Sequence, residues 1–118
     1  MTENVVENKS FQFAVRTVNL YKHLTTDKKE YVMSKQLLKC GTSVGANVAE
    51  AERGQTKADF YAKLSIALKE AHETCYWLRL LNATEYLTEK EYVSMEKDIK
   101  EIIALLMAIC KTTQQNQK

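Results

Sequence analysis

The chain has 118 residues, 45% of them hydrophobic and 27% charged, and a formal net charge of +2. That length and composition suit one ordinary globular domain, 1–118, with a single core, and exclude a disordered or fibrous chain. The slight positive balance falls well short of a dedicated nucleic-acid binder, and no apolar run approaches the roughly 20 residues of a membrane span.

No segment alternates with the period of a strand, and the chain contains no proline. Ser10 reads as the cap of a first helix over about 10–24, with Phe11, Ala14, Val15, Val18 and Tyr21 as its apolar stripe. After the polar break "TTDKKE", a second helix covers about 34–52 and stops at Gly54. Thr56-Lys57-Ala58-Asp59, a variant capping box, opens a third helix over about 56–82. Its apolar positions are Phe60, Leu64, Ala67, Ala71, Leu78 and Leu81. Thr88-Glu89-Lys90-Glu91 is a second capping box and opens a fourth helix over about 88–112. Tyr92, Met95, Ile99, Ile102, Leu106 and Ile109 mark its buried side, and the tail "TTQQNQK" reads as polar and frayed. Short connections between four such helices predict an all-α, antiparallel up-down four-helix bundle.

The three glycines raise a separate question, because Gly41 and Gly45 fall inside the second helix. Glycine costs about 1 kcal/mol against alanine in a helix interior. On a helical wheel Leu37, Cys40, Val44, Val48 and Ala51 make a core face. Gly41, Gly45 and Ala49 make a second face of small residues, and Ser43, Asn47 and Glu50 a third, polar one. The small face suits close approach of another backbone, which makes Gly41, Gly45 and Ala49 candidates for a subunit interface. The alternative is that the glycines admit bulky side chains such as Phe60 or Trp77 of the same chain. Ser43, Asn47 and Glu50 read as a structural polar network reaching Glu70, Glu73 or Arg79 of the third helix, within or between subunits, or else as a binding surface.

Catalytic and metal chemistry find little support. A di-iron bundle needs Glu-x-x-His pairs, but Lys69 precedes His72 by three residues and Leu20 precedes His23. His72 and Cys75 supply two ligands at most, and as a nucleophile and base they lack a third orienting group. The glycines match no phosphate-binding loop. No catalytic residue, metal or cofactor is expected. Cys40, Cys75 and Cys110, an odd number far apart and with no leader before them, read as reduced thiols of a cytoplasmic protein with no membrane contact.

The segment "QLLKCGTSVGANVAEAERG" resembles the signature of the 23S rRNA intervening-sequence proteins. Gln36, Leu37, Ser43, Val44, Ala46, Asn47, Val48, Ala49, Glu50 and Arg53 match it, whereas Ala51 stands where a glycine is usual. "DFYAKLSIALKEAHETCYWLRLL" is similar to the family's third helix. The resemblance implies a small bundle that assembles into a cyclic homopentamer with a central channel. It also implies kinship with the accessory variability protein of diversity-generating retroelements, a basic pentameric bundle that engages a reverse transcriptase and nucleic acid. Fivefold repetition of Arg53 and Lys57 would then build a ring of positive charge, with Lys35 and Lys39 as further candidates for contact with RNA or DNA. The expected protein is a non-enzymatic homo-oligomer that binds nucleic acid through such a ring. The alternative is an interaction scaffold for a client protein, with no nucleic-acid binding.

Overall fold

The structure, a computed structural model, describes residues 2–116, with side chains from 5 to 113. Among them there are four helices and no strand: α1 (Thr2–Thr26), α2 (Met33–Ala51), α3 (Lys57–Ala83) and α4 (Glu89–Asn116). They pack as a rod measuring 49 × 21 × 20 Å. Helix α1 touches α2 and α4, α3 touches the same two, and no close backbone approach crosses either diagonal. Salt bridges along α1 and α4 run in opposite order, Lys9 to Glu101, Arg16 to Asp98 and His23 to Glu91.

The helix signals at the starts of α3 and α4 and at the end of α3 are local chemistry. Thr56 Oγ1 accepts from the Asp59 backbone N–H at 3.0 Å and opens α3. At α4 the box is reciprocal: Thr88 Oγ1 accepts from Glu91 N–H at 3.1 Å, and Glu91 Oε1 accepts from Thr88 N–H at 2.8 Å. Helix α3 ends with Tyr86 N–H donating to the Leu81 carbonyl and Glu85 N–H to that of Asn82, a Schellman arrangement. Glu85 takes the left-handed position there at φ 69°, and Lys29 does so between α1 and α2 at φ 57°. Gly54 does end α2, but not through positive φ. A Cβ on Gly54 would lie 3.1 Å from the Phe60 nitrogen, so its bareness lets the start of α3 close against the turn.

The start of α2 carries a device absent from the sequence reading. Glu30, inside the polar break, is buried, and its carboxylate accepts from the N–H groups of Val32, Met33 and Ser34 at 3.1, 3.0 and 2.6 Å. Ser34 Oγ donates back to the Glu30 carbonyl at 2.8 Å. The free amides and positive end of the helix are thereby satisfied from outside it.

Helix α1 departs most from expectation. It begins at Thr2, so Ser10 is no cap: it lies mid-helix, buried, its hydroxyl donating to the Glu7 carbonyl. The buried face is Val6, Ser10, Phe13, Thr17 and Leu24. The expected stripe turns outward, with Phe11 63% and Val15 41% exposed. Two core positions are polar because they face the glycines of α2, where only small side chains fit. Their hydroxyls bond back to their own helix, Thr17 to the Phe13 carbonyl at 2.8 Å, so hydropathy points the wrong way. At the other terminus α4 runs to Asn116, past the expected limit at 112, with Thr112 and Thr113 bonded to the Ala108 and Ile109 carbonyls; the end of the expected frayed tail, 117–118, lies outside the described residues.

Elsewhere the periodicity holds. Leu37, Cys40, Val44, Val48 and Ala51 of α2 are buried. So are Leu64, Ala67, Ala71, Leu78 and Leu81 of α3 and Met95, Ile99, Ile102, Leu106 and Ile109 of α4. Phe60 and Tyr92 are only partly buried against this core.

Candidate self-association face and nucleic-acid interface

The small face of α2 is occupied first by the chain's own α1. A Cβ on Gly41 would meet Thr17 Cγ2 at 2.8 Å, and one on Gly45 would meet the Ser10 carbonyl oxygen at 3.1 Å. Gly41 is buried and Gly45 half-buried. The close approach inferred from the glycines is therefore present inside one chain, and its partner is neither Phe60 nor Trp77 but Ser10 and Thr17. That corrects the assignment of Gly41 to a subunit contact. Gly45 and Ala49 keep an outward side. With Glu7, Asn8 and Phe11 they line an open groove of about 410 Å³ between α1 and α2.

Phe11 belongs both to this groove and to the outward stripe of α1. Phe11 and Val15 stand a turn apart on α1, with half-buried Val18 next along the same stripe. Phe11 is the most exposed of these apolar side chains, at 63%. The sequence held one clue: Ser10 and Thr17 are seven residues apart, as are glycine-facing positions on a helix, and put Phe11 on the other side.

The polar face is smaller than expected. Asn47 Nδ2 donates to the Ser43 carbonyl at 2.9 Å and to Ser43 Oγ at 3.0 Å. Glu50, one turn on, is exposed and joins neither, and among the described residues no hydrogen bond links the pair to Glu70, Glu73 or Arg79. Glu73 instead accepts from Trp77 Nε1 at 3.1 Å. Because the Ser43–Asn47 bond is local and half-exposed, Asn47→Ala should cost less than about 1 kcal/mol. A thermal melt checks this; a loss above about 8 °C would mean that Asn47 bridges to something beyond its own helix.

The four basic candidates divide into two pairs. Arg53 and Lys57 flank the α2–α3 turn, exposed and without an ion pair among the described residues. Lys35 and Lys39 lie near the start of α2, Lys35 about 27 Å from Arg53 at about 1.5 Å per residue. They form no single site with the turn.

The thiols show no sign of activation. Burial pushes the Cys40 thiol up to about 11 and raises those of Cys75 and Cys110. His72 is exposed and makes no hydrogen bond to Cys75 among the described residues. There, no group of three or more His, Cys, Asp or Glu side chains is placed to hold a metal ion. No helix is long and apolar enough to cross a membrane.

A sequence profile of the 23S rRNA-intervening sequence proteins matches residues 2–108, nearly the whole chain. The chain belongs to that family. A solved structure of a protein of unknown function from the S23 ribosomal protein family of Bacteroides thetaiotaomicron is 58% identical and superposes with a TM-score of 0.93. The match covers 94% of this chain and 99% of the Bacteroides one. No curated protein matches. Within the family segment, Leu37, Val44 and Val48 are core, Ser43 and Asn47 bond each other, and Arg53 is exposed. The signature thus mixes packing residues with surface ones, and Ala51, at the position where a glycine is usual, is itself buried core.

Proposed function

We propose that this family member is a non-enzymatic, cytoplasmic, up-down antiparallel four-helix bundle that assembles with copies of itself and binds nucleic acid. The observation that carries the reading is the uncovered apolar surface of Phe11 and Val15 beside the Gly45–Ala49 groove. The opposed order of the α1–α4 salt bridges supports the antiparallel course. The raised thiols and the absence of a hydrogen-bonded nucleophile–base pair among the described residues favour a binding module over an enzyme. Assembly places several copies of the Arg53–Lys57 turn on one particle, and phosphate contacts add with their number. The number five rests on the family resemblance.

Sedimentation velocity of the wild type and Phe11→Glu tests the assembly. Phe11 lies outside the core, so the variant should keep its helical circular dichroism yet sediment as a monomer, while the wild type sediments as one larger species. A wild type that is monomeric at micromolar concentration would sink the self-association reading. For nucleic acid, retention should fall steeply between about 50 and 200 mM salt. An assembled protein that retains neither RNA nor DNA at low salt would be a scaffold for a client protein instead.

A further inference from the structure

We propose that the outward face of α4 is a second phosphate-binding track, shaped for the backbone of a duplex nucleic acid; it rests on the nucleic-acid reading above. Four of the five acidic residues of α4 face a basic side chain; Glu89, in its first turn, is exposed. Glu101 holds Lys9 at 2.5 Å, Asp98 holds Arg16 at 2.5 Å, and Glu91 faces His23 at 3.9 Å, all toward α1. Glu96, on the side of α3, accepts from Tyr92 and lies 3.6 Å from Lys100. Lys90, Lys97 and Lys111, on the side of α4 whose one carboxylate is the paired Glu101, are exposed and carry no ion pair among the described residues. At about 100° per residue they share one stripe with Val93, Ala104 and Ala108, opposite the buried Met95, Ile99, Ile102 and Leu106. Lys100 stands at its edge, 65% exposed.

The stripe is straight and spans about 32 Å from Lys90 to Lys111 at about 1.5 Å per residue. Its lower end lies at the same end of the bundle as the first site. Thr113, on the buried side of α4 opposite Lys111, shares a groove with Gly54, Thr56, Lys57 and Phe60. The Arg53–Lys57 turn and the α4 row are therefore neighbouring but separate positive sites. Opposite charge selects a polyanion, and the neutral members select among polyanions. A single-strand site uses aromatic platforms for unpaired bases, and the stripe has none. A membrane-surface helix backs its lysines with large apolar side chains, and here the stripe offers one valine and two alanines. Lysines on a rigid rod reach phosphates and read no base edge, which fits a duplex bound without sequence preference.

The experiment is fluorescence anisotropy of the full chain with a labelled random duplex and a single strand of equal length, at about 50 and 200 mM salt. It compares the wild type with Lys90→Gln/Lys97→Gln/Lys111→Gln and with Arg53→Glu/Lys57→Glu, each checked by circular dichroism. The triple variant should bind the duplex about tenfold more weakly at low salt. Its log–log salt slope should be shallower by about 2.7, three phosphates at about 0.9 each. If the wild type binds neither probe, the nucleic-acid reading falls and takes this one with it. If the double variant loses binding while the triple variant matches the wild type in affinity and slope, the turn is the site and α4 is not. Stronger wild-type binding to the single strand overturns the duplex assignment. Lysine-dependent binding to phosphatidylserine vesicles, with duplex binding unchanged in the triple variant, reassigns the face to a membrane.

Discussion

Gly41→Leu should lower the melting temperature by about 10 °C or more, although it removes a glycine from a helix interior. Helix propensity alone favours the change by up to about 1 kcal/mol. Packing opposes it more strongly. The new Cβ would lie 2.8 Å from Thr17 Cγ2 and 2.9 Å from Thr17 Oγ1. Thr17 cannot swing away cheaply: it is β-branched, fully buried, and its hydroxyl is committed to the Phe13 carbonyl. Gly45→Leu meets something stiffer, the Ser10 carbonyl oxygen and carbon at 3.1 and 3.3 Å. Overpacking of this kind costs about 1–3 kcal/mol or more, and each kcal/mol shifts a domain of this size by about 4 °C. Ala46→Leu, on an exposed neighbour, serves as control and should stay within about 0.5 kcal/mol. Differential scanning calorimetry reads all three. A Gly41→Leu melt within about 2 °C of wild type would mean that α1 is not seated on this face. The same seat turns Phe11 outward, so Gly45→Leu should lose stability and assembly together, whereas Phe11→Glu loses assembly alone.

Glu30→Ala should be nearly as costly at neutral pH, about 2–3 kcal/mol: a hydrogen bond to a charged group is worth about 1.5–3 kcal/mol, and of the three amides that lose this acceptor those at the helix end regain water. The effect has a pH signature. Burial pushes the Glu30 carboxyl up, but the amides of Ser34, Met33 and Val32 outweigh it and hold it below its ordinary 4.5. A carboxyl depressed on folding stabilises the native state fully above the unfolded value and loses that contribution as pH falls through the lower folded value. The gap in melting temperature between wild type and Glu30→Ala should therefore be widest near pH 7 and close progressively below about pH 4.5. Glu91 is depressed as well, through its bond from the Thr88 amide, but it titrates in both proteins and cancels from the difference. Melts that stay parallel from pH 7 to about pH 3 would show that the carboxylate does not anchor α2. Glu30→Gln, which retains one acceptor oxygen, should fall between the two.

These two sites also show where reading the chain stops being enough. Capping at Thr56 and Thr88 was legible because a threonine hydroxyl accepts from the amide three residues later within one turn, and at Thr88 the Glu91 carboxylate returns the bond. Glu30 caps from two to four residues upstream of the amides it serves, outside the helix, and a carboxylate in a polar break looks like solvent-facing charge until the chain is folded back over it. The core positions of α2, α3 and α4 followed from spacing, since each helix buries one mainly apolar face, interrupted at Ser34, Thr74 and Thr113. On α1 the same rule selected Phe11 and Val15 and missed Ser10 and Thr17. Apolar periodicity reports which face leaves water, not which partner takes it there, and on α1 two faces compete. The basic candidates show a related effect: Lys35 and Arg53 are near in sequence, but a helix is a ruler, and it holds them about 27 Å apart.

By itself the sequence determined four helices, their approximate limits, the family, and the fact that something must approach α2 closely at Gly41 and Gly45. Those are consequences of local hydrogen bonding, of a 3.6-residue period and of the absence of a Cβ, all of which act over a few residues. Only the tertiary structure decided that the approaching backbone is the chain's own α1 and that Phe11 consequently points away from the core. It also decided that most carboxylates of α4 face a basic side chain, leaving Lys90, Lys97 and Lys111 bare. Each of these depends on which face of one helix meets which face of another, a choice made by close packing and charge pairing between residues distant in the chain, where no local rule reaches.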